Sequence, residues 1–253
     1  MSTVTVKAKL KSDLRDKLKA VSQSLSVAIQ SKDLTGTGKT YEAWVLLELA
    51  LRLSKKAGIM VQATGHDGKT VTAFKLRGGP GHIPPAHASG NQPSHFTVWR
   101  KDKVPIELHL SLEHEGASTA LHELDISAVA TVHAHQIRFN GGGPFKGHRY
   151  LGVELKAYDA GTVLPKAVAR ALLGAAVDLD LGTVLQGAGV LPKAHSPLWW
   201  PQWAPKHWLL TTAHLSPQSQ TYLAKYGMGY AGKINPQHDL ILNDIAGEIA
   251  KFV

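Results

Sequence analysis

Two helices are predicted at the start of the chain from the spacing of its apolar residues. The first spans residues 12–31, with Ser12 as the expected N-cap. Its apolar residues fall on one helical stripe: Leu14, Leu18, Val21, Leu25 and Ile29. The second spans residues 39–56 and is apolar almost all round, which is typical of a central, buried helix.

Two hairpins are predicted next, where apolar and polar residues alternate. Segments 59–63 and 70–76 flank a His66-Asp67-Gly68 turn, and segments 95–100 and 104–113 flank a second turn. Alternation of this kind is typical of strands that place one face on a core.

The last third of the chain returns to helical patterns. Helices are predicted over residues 162–178 and 239–251, with a short strand at 208–213 between them. The order of helix, antiparallel strands and then β-α-β predicts an α/β fold in which helices flank a mixed β-sheet. We expect one domain over residues 1–253, with its core spanning residues 37–233.

Composition adds a preference for polyanionic partners. The 253 residues are 43% hydrophobic, carry a formal charge of +9 and give a pI near 9.6, which favours nucleic acid or an anionic membrane surface. No apolar run reaches transmembrane length, so we expect no membrane span, and the first residues lack the apolar core of a signal peptide. With no cysteine in the chain, disulfides and thiolate zinc sites are excluded, and a cytoplasmic location is expected.

Candidate chemistry lies on two of the predicted strands, in the segments around Asp125 and Glu154. In the second, the apolar residues Leu151, Val153 and Leu155 alternate with polar ones. A strand period of two puts Glu154 and Lys156 on the same face. A carboxylate and an ammonium on an apolar strand indicate either a divalent metal with an anionic substrate or a structural ion pair.

These residues, in this order, resemble a known family of nucleases. Glu42 lies in the second helix, Asp125 stands in Glu-Leu-Asp-Ile, and the next strand carries Glu154-Leu155-Lys156. The order resembles the PD-(D/E)xK superfamily, which has the restriction-endonuclease-like fold, over residues 37–178. Leu124 stands where the name-giving proline of the motif would be.

The resemblance implies an Mg²⁺-dependent (or Mn²⁺-dependent) endonuclease. Asp125 and Glu154 would supply carboxylate ligands and Leu155 a carbonyl oxygen, in keeping with the hard oxygen ligands that Mg²⁺ prefers. Lys156 would orient or deprotonate the water, or stabilise the phosphate in the transition state. Glu42 lies on the buried stripe of its helix and would support the metal or orient the lysine; alternatively, it pairs with Lys39.

Several other residues have two interpretations each, one functional and one structural. The basic residues Lys146, His148 and Arg149 follow a glycine-rich loop and would contact phosphates or form a solvated loop. Glu123 would be a further ligand or an exposed acid, and Arg170 on the next helix would point toward the site or lie on the surface. His133 and His135 would share a strand face as a possible transition-metal pair, and the tryptophans at 199–203 would stack on bases or pin a loop to the core.

The function expected from these observations is metal-dependent hydrolysis of phosphodiester bonds, with DNA preferred to RNA. The resemblance further implies a component of a bacterial defence or repair system, acting as a homodimer or with a partner protein that supplies recognition. One alternative is a non-catalytic nucleic-acid-binding or assembly subunit of the same fold. Another is an unrelated hydrolase that uses its histidines with zinc.

Overall fold

A computed structural model of the chain describes residues 3–30, 34, 36–189 and 206–253. Within these ranges the helices are α1 Thr3–Ser24, α2 Gly36–Ser54, α3 Thr131–Phe139, α4 Lys166–Gly187, α5 Pro217–Lys225 and α6 Ile241–Ile249. The strands are β1 Ala28–Ile29, β2 Ile59–Thr64, β3 Ala73–Phe74, β4 His95–Arg100, β5 Ile106–Glu115, β6 Leu121–Ala130, β7 Arg149–Lys156, β8 Lys206–Thr211 and β9 Gly229–Ala231.

A seven-stranded mixed sheet is the centre of the fold. Its order is β2-β4-β5-β6-β7-β8-β9, antiparallel from β2 to β7 and parallel from β7 to β9. A second, two-stranded sheet pairs β1 with β3. The predicted α/β class, with helices flanking a mixed sheet, is confirmed at this level.

Helix α2 is the central helix that the sequence predicts. Its buried residues include Trp44, Leu46 and Leu49, and it packs in one core with α1, α6 and one face of the sheet. A second buried cluster joins α4 and α5 to Leu209 of β8. A third, smaller cluster lies under α3. The sheet is therefore covered by apolar contacts on both faces.

The first helix differs from its prediction at both ends. The predicted span 12–31 is the helix Thr3–Ser24, so Ser12 lies inside it and is not the N-cap. The stripe is confirmed at Leu14, Leu18 and Val21, which are buried. Ser26 has a φ of 54°, and this left-handed residue ends the helix and turns the chain into β1. The C-terminal helix is Ile241–Ile249, inside the predicted 239–251.

Two strand predictions are wrong. Segment 70–76 was expected to pair with 59–63 along its length, but β2 pairs with β4, and only the bridge from Thr64 to Thr70 remains of that hairpin. His133 and His135 lie on α3 and not on a strand, so helical spacing separates the two side chains instead of aligning them. The tryptophans at 199–203 lie outside the described residues. No helix of the described part of the chain is long and apolar enough to cross a membrane.

Gly229 lets β9 lie against β8, because a Cβ added there would come within 2.2 Å of the Trp208 indole. Gly229→Ala should therefore destabilise the fold by about 1–3 kcal/mol, the usual cost of overpacking. Urea unfolding measures this. The control is Gly247→Ala within α6, where an added Cβ meets nothing within 4 Å; it should stabilise by roughly 0.5–1 kcal/mol. Equal effects of the two substitutions would contradict the close approach.

Candidate functional site

Strands β6 and β7 part at Asp125. Their last registered pair is Ile126 with Val153. Beyond it, the backbone N–H of Leu155 donates to Asp125 Oδ2 at 2.7 Å. A side-chain carboxylate thus satisfies an amide of β7 where the ladder to β6 has ended. This bond holds the nearly buried Asp125 carboxylate in the fork between the strands.

The carbonyl of Leu155 faces the same fork. The next carbonyl, that of Lys156, accepts from Thr212 N on the β8 side at 3.2 Å. The N–H and C=O of one strand residue point to one side, and those of the next residue to the other. The Leu155 carbonyl therefore points toward Asp125, as a ligand role requires.

Glu154 and Lys156 share one face of β7, as the strand period predicts. Lys156 Nζ lies 2.5 Å from Glu154 Oε1 and 3.9 Å from Asp125 Oδ2. The Lys156 and Glu154 side chains are 33% and 21% exposed, so the pair opens to solvent while Asp125 lies behind it. The ion pair that the sequence offered as one reading is present, and it lies beside a third charged group.

Glu42 reaches the same region from α2. Lys39 Nζ lies 2.6 Å from Glu42 Oε2 and donates to Ser111 Oγ at 2.8 Å, and Ser111 Oγ donates to Glu42 at 3.3 Å. Ser111 is buried in β5 with a φ of 48°, beside the strand position of Asp125. The Lys39 pair, one of the two sequence readings for Glu42, is present. Sequence reasoning missed Ser111, because a serine in an alternating strand carries no signal of its own.

Like charges gather around Asp125. Burial raises the pKa of Asp125 to about 8, helped by Glu154 and Glu42 and opposed by Lys156. Burial also raises the pKa of Glu42, against the pull of Lys39 and with a contribution from Glu123. Burial would lower the pKa of Lys156, but Glu154 and Asp125 outweigh it and hold it above its usual value. The site therefore favours an added positive charge.

The oxygen atoms at this site are of the type that binds a hard divalent cation, but they are not spaced as the ligands of one ion. Carboxylates of Asp125, Glu154 and Glu42 with the Leu155 carbonyl are the oxygen ligands that Mg²⁺ or Mn²⁺ takes. Among the described residues, however, the one group of three His, Asp or Glu ligand atoms within 4.8 Å of one another is a different one, His95, Glu107 and His109. The carboxyl groups of Asp125, Glu154 and Glu42 thus interact electrostatically, but their oxygen atoms do not all lie at the spacing of ligands around one metal ion.

The histidine group could hold a transition metal, but it is already balanced in charge. Arg138 donates to both oxygens of Glu107 at 2.7 and 2.6 Å, and His109 Nε2 lies 2.7 Å from Glu107 Oε2. Burial lowers the pKa of His95 to about 3, so its ring is neutral. One carboxylate and one guanidinium cancel, and a cation would compete with Arg138 for Glu107. We interpret the group as a buried ion-pair network.

The three residues expected to contact phosphates do not form one basic surface. Lys146 is exposed and pairs with Glu115 at 2.7 Å. His148 is half-buried, and its backbone N–H donates to His133 Nδ1 at 2.9 Å. Arg149 is buried and bonds to Asp180 at 2.9 Å, where a kink in α4 places that carboxylate. Lys146 alone of the three presents a charged group to solvent.

Two weaker candidates have plain placements. Glu123 is half-buried on β6 opposite Glu113 of β5, and its charge reaches Glu42. It thus borders the site as a further acid. Arg170 is exposed on α4.

Comparisons with known proteins do not extend this picture. No family model and no curated protein matches the chain. A solved structure similar to part of it is that of a protein of unknown function, AF1548, with a TM-score of 0.31 and 14% identity. The likeness covers 56% of this chain and 58% of that one, so the chain spans less than two thirds of that protein. We infer neither fold nor function from it.

The raised pKa of Asp125 predicts a pH-dependent stability. The folded chain keeps the proton up to about pH 8, whereas the unfolded chain releases it near its ordinary value of 3.8. Unfolding free energy is therefore lost as pH rises between these values. Asp125→Asn removes the cost of the buried charge, so in EDTA the melting temperature of the variant should gain on wild type as pH rises from 5 to about 8.5.

Thermal melts across this pH range measure the effect. Asp16→Asn, at an exposed position of α1, is the control and should track wild type at every pH. Parallel curves for Asp125→Asn and wild type would contradict the strong burial of this charge.

Proposed function

We propose that the chain is an Mg²⁺-dependent (or Mn²⁺-dependent) endonuclease that hydrolyses phosphodiester bonds of nucleic acid. The observation that carries the proposal is the meeting of Asp125 with Glu154 and Lys156 where β6 and β7 part. Three separate elements supply Glu42, Asp125 and the Glu154–Lys156 pair. If Glu154 and Lys156 formed a purely structural ion pair, the carboxyl groups of Asp125 and Glu42 would not be needed beside it.

The residues have two roles: four of them would bind the cation, and Lys156 would stabilise negative charge on the phosphate. Asp125, Glu154, the Leu155 carbonyl and Glu42 would hold the cation, and a cation held there would supply positive charge for the phosphate and a more acidic water. Lys156 keeps its proton at neutral pH because Glu154 and Asp125 raise its pKa. It therefore stabilises charge developing on the phosphate rather than deprotonating the water. To act as a cation ligand Asp125 would have to be deprotonated, and a nearby cation would oppose the raised pKa of its carboxyl.

The restriction-endonuclease-like fold is part of the same proposal. In the described order, α2 with Glu42 precedes the antiparallel strands that carry Asp125 on β6 and Glu154-x-Lys156 on β7, and α4 follows them. The sheet turns from antiparallel to parallel at β7. This order and this change of direction support the resemblance seen in the sequence.

We propose nucleic acid as the partner on the strength of the formal charge of +9. The resemblance to the nuclease family favours DNA over RNA. A homodimer or a partner protein would supply recognition, in a cytoplasmic defence or repair system of bacteria. These parts of the proposal rest on the resemblance and the charge.

A non-catalytic nucleic-acid-binding or assembly subunit is the second candidate. The 2.5 Å contact between Lys156 and Glu154 favours it, because that contact occupies one of the expected ligands. Metal binding separates the two functions, since a subunit without catalysis needs no cation at Asp125.

Metal-dependent cleavage is the direct test of the proposal. Plasmid, single-stranded DNA and RNA are incubated with Mg²⁺, Mn²⁺ or EDTA, and the products are separated on gels. Cleavage is expected with either metal and not with EDTA. Asp125→Ala, Glu154→Ala and Lys156→Ala should each lower the rate by roughly 10²–10⁴-fold, with losses that are far from additive.

Asp16→Ala serves as the folded control in this assay and should cleave at the wild-type rate. Calorimetry should show Mg²⁺ binding that is lost in Asp125→Ala and retained in Lys156→Ala. Full cleavage in excess EDTA, or a wild-type rate for Asp125→Ala, would contradict the mechanism. Binding of nucleic acid without any cleavage or metal binding would favour the non-catalytic subunit.

Glu42→Gln distinguishes a ligand from a simple partner of Lys39. Glutamine can still accept from Lys39 and Ser111, so the shape is kept and one of the crowded negative charges is removed. We expect stability in EDTA to hold within about 0.5 kcal/mol, while cleavage falls at least tenfold. Urea unfolding and the cleavage assay measure the two effects.

The control is Glu48→Gln on the same helix, where Glu48 pairs with Arg52 away from the site. It should leave cleavage unchanged. A loss of about 1–3 kcal/mol with full activity of the folded Glu42→Gln protein would show that Glu42 serves Lys39 alone.

A further inference from the structure

A small pocket lies at the carboxyl ends of β8 and β9. It has a volume of about 290 Å³ and is lined by His214, Leu215, Gln220, Tyr230, Ala231, Gly232 and Lys233. Strands β7, β8 and β9 are parallel, so their carboxyl ends meet at one edge of the sheet. In open parallel α/β sheets, ligands bind outside the carboxyl ends of the strands, and β7, β8 and β9 have this parallel arrangement. The pocket therefore lies at the same edge as Lys156.

The pocket also shares a face of the sheet with Glu154. Glu154 is registered with Leu209, and Leu209 with Tyr230. Registered neighbours in a sheet point to the same face, so these three side chains form a row across β7, β8 and β9, with Leu209 buried under α4 and α5 between the other two. Two strand spacings of about 4.8 Å separate Glu154 from Tyr230, roughly 10 Å in all. That is roughly the rise of three stacked nucleotides.

The lining is suited to an anion that carries a flat ring. Two of the lining side chains, His214 and Lys233, are basic, and none is acidic. Tyr230 is half-buried: it packs against the second buried cluster and also lines the pocket, where the uncovered part of its ring can contact a base. Gln220 is anchored by a bond from its Nε2 to Leu215 O at 2.9 Å. The volume is at the lower end for small-molecule sites, which suits a single nucleotide better than a duplex.

We propose that this pocket, hereafter the Tyr230 pocket, binds one nucleotide of a single-stranded nucleic acid whose cleaved phosphate lies at Lys156. Tyr230 stacks on the base and Lys233 contacts its phosphate. The proposal rests on the nuclease function proposed above and adds a subsite to it. A strand separated from its partner near the cut is required, since a paired base cannot enter the pocket.

The test measures binding and cleavage of a fluorescently labelled single-stranded DNA hexamer. Binding is followed by anisotropy in Ca²⁺ and again in EDTA, and cleavage in Mg²⁺. Tyr230→Leu should weaken binding at least fivefold in both buffers, the lower limit for losing one stacked base. It should raise KM with little change in kcat. Tyr230→Phe keeps the ring and should bind as wild type, provided circular dichroism shows both variants folded.

Lys233→Gln should lower the slope of log affinity against log salt by about 0.7, the value for one phosphate contact on a single strand. Lys55→Gln makes the same charge change at an exposed site after α2 and should bind as wild type. Deoxynucleoside monophosphates are tested alongside: competition with the hexamer at millimolar concentration supports a site for one nucleotide unit, and selective binding of the free nucleotide with none of the hexamer overturns the subsite.

The outcomes separate this proposal from the nuclease function. Wild-type binding by both Tyr230→Leu and Lys233→Gln, together with Mg²⁺-dependent cleavage, overturns the Tyr230 pocket and leaves the nuclease standing. Loss of binding in these variants without any cleavage by wild type supports the pocket and contradicts the nuclease. Equal losses in Lys55→Gln and Lys233→Gln overturn the phosphate contact.

Discussion

The site depends on one hydrogen bond, from the Leu155 amide to the Asp125 carboxylate. In an unbroken ladder that amide would face the backbone of β6, and Asp125 would be one more side chain on a strand. The carboxylate takes the amide instead, at the point where the registered pairing of β6 with β7 ends. Because the N–H and C=O of one strand residue point to the same side, the Leu155 carbonyl also faces Asp125. The candidate site thus lies where the regular pairing of β6 with β7 ends.

Charge balance explains why two polar clusters in one sheet differ. Around Glu107, a guanidinium and two neutral imidazoles match one carboxylate, and the whole group is buried. Around Asp125, burial and the charges of Glu154 and Glu42 favour the protonated carboxyl, and Lys156 opposes them without cancelling the effect. The first cluster is complete as it stands. The second keeps a raised pKa and an opening to solvent, which are common at functional sites.

The change from antiparallel to parallel pairing at β7 sets the surroundings of the site. Antiparallel strands on one side bring Ser111 and Asp125 beside α2, while parallel strands on the other bring their carboxyl ends together beside Lys156. Elements far apart in sequence thus contribute to one edge. The pairing of β9 with β8 requires a glycine at position 229, because the Trp208 indole occupies the space where a Cβ would lie.

Local pattern in the sequence determined the central helix, the alternating strands, and the common face of Glu154 and Lys156, because 3.6-residue and two-residue periods act between near neighbours. It also singled out Asp125 and Glu42 through the order of motif residues. Tertiary structure alone decided that Lys39 meets Ser111, 72 positions away, and that Arg149 is buried against Asp180. It also decided that residues 131–139 form a helix and that β2 pairs with β4. These outcomes depend on contacts between segments that are far apart in the sequence. The periodicity of a segment describes only its near neighbours and does not show which distant charged groups will come into contact.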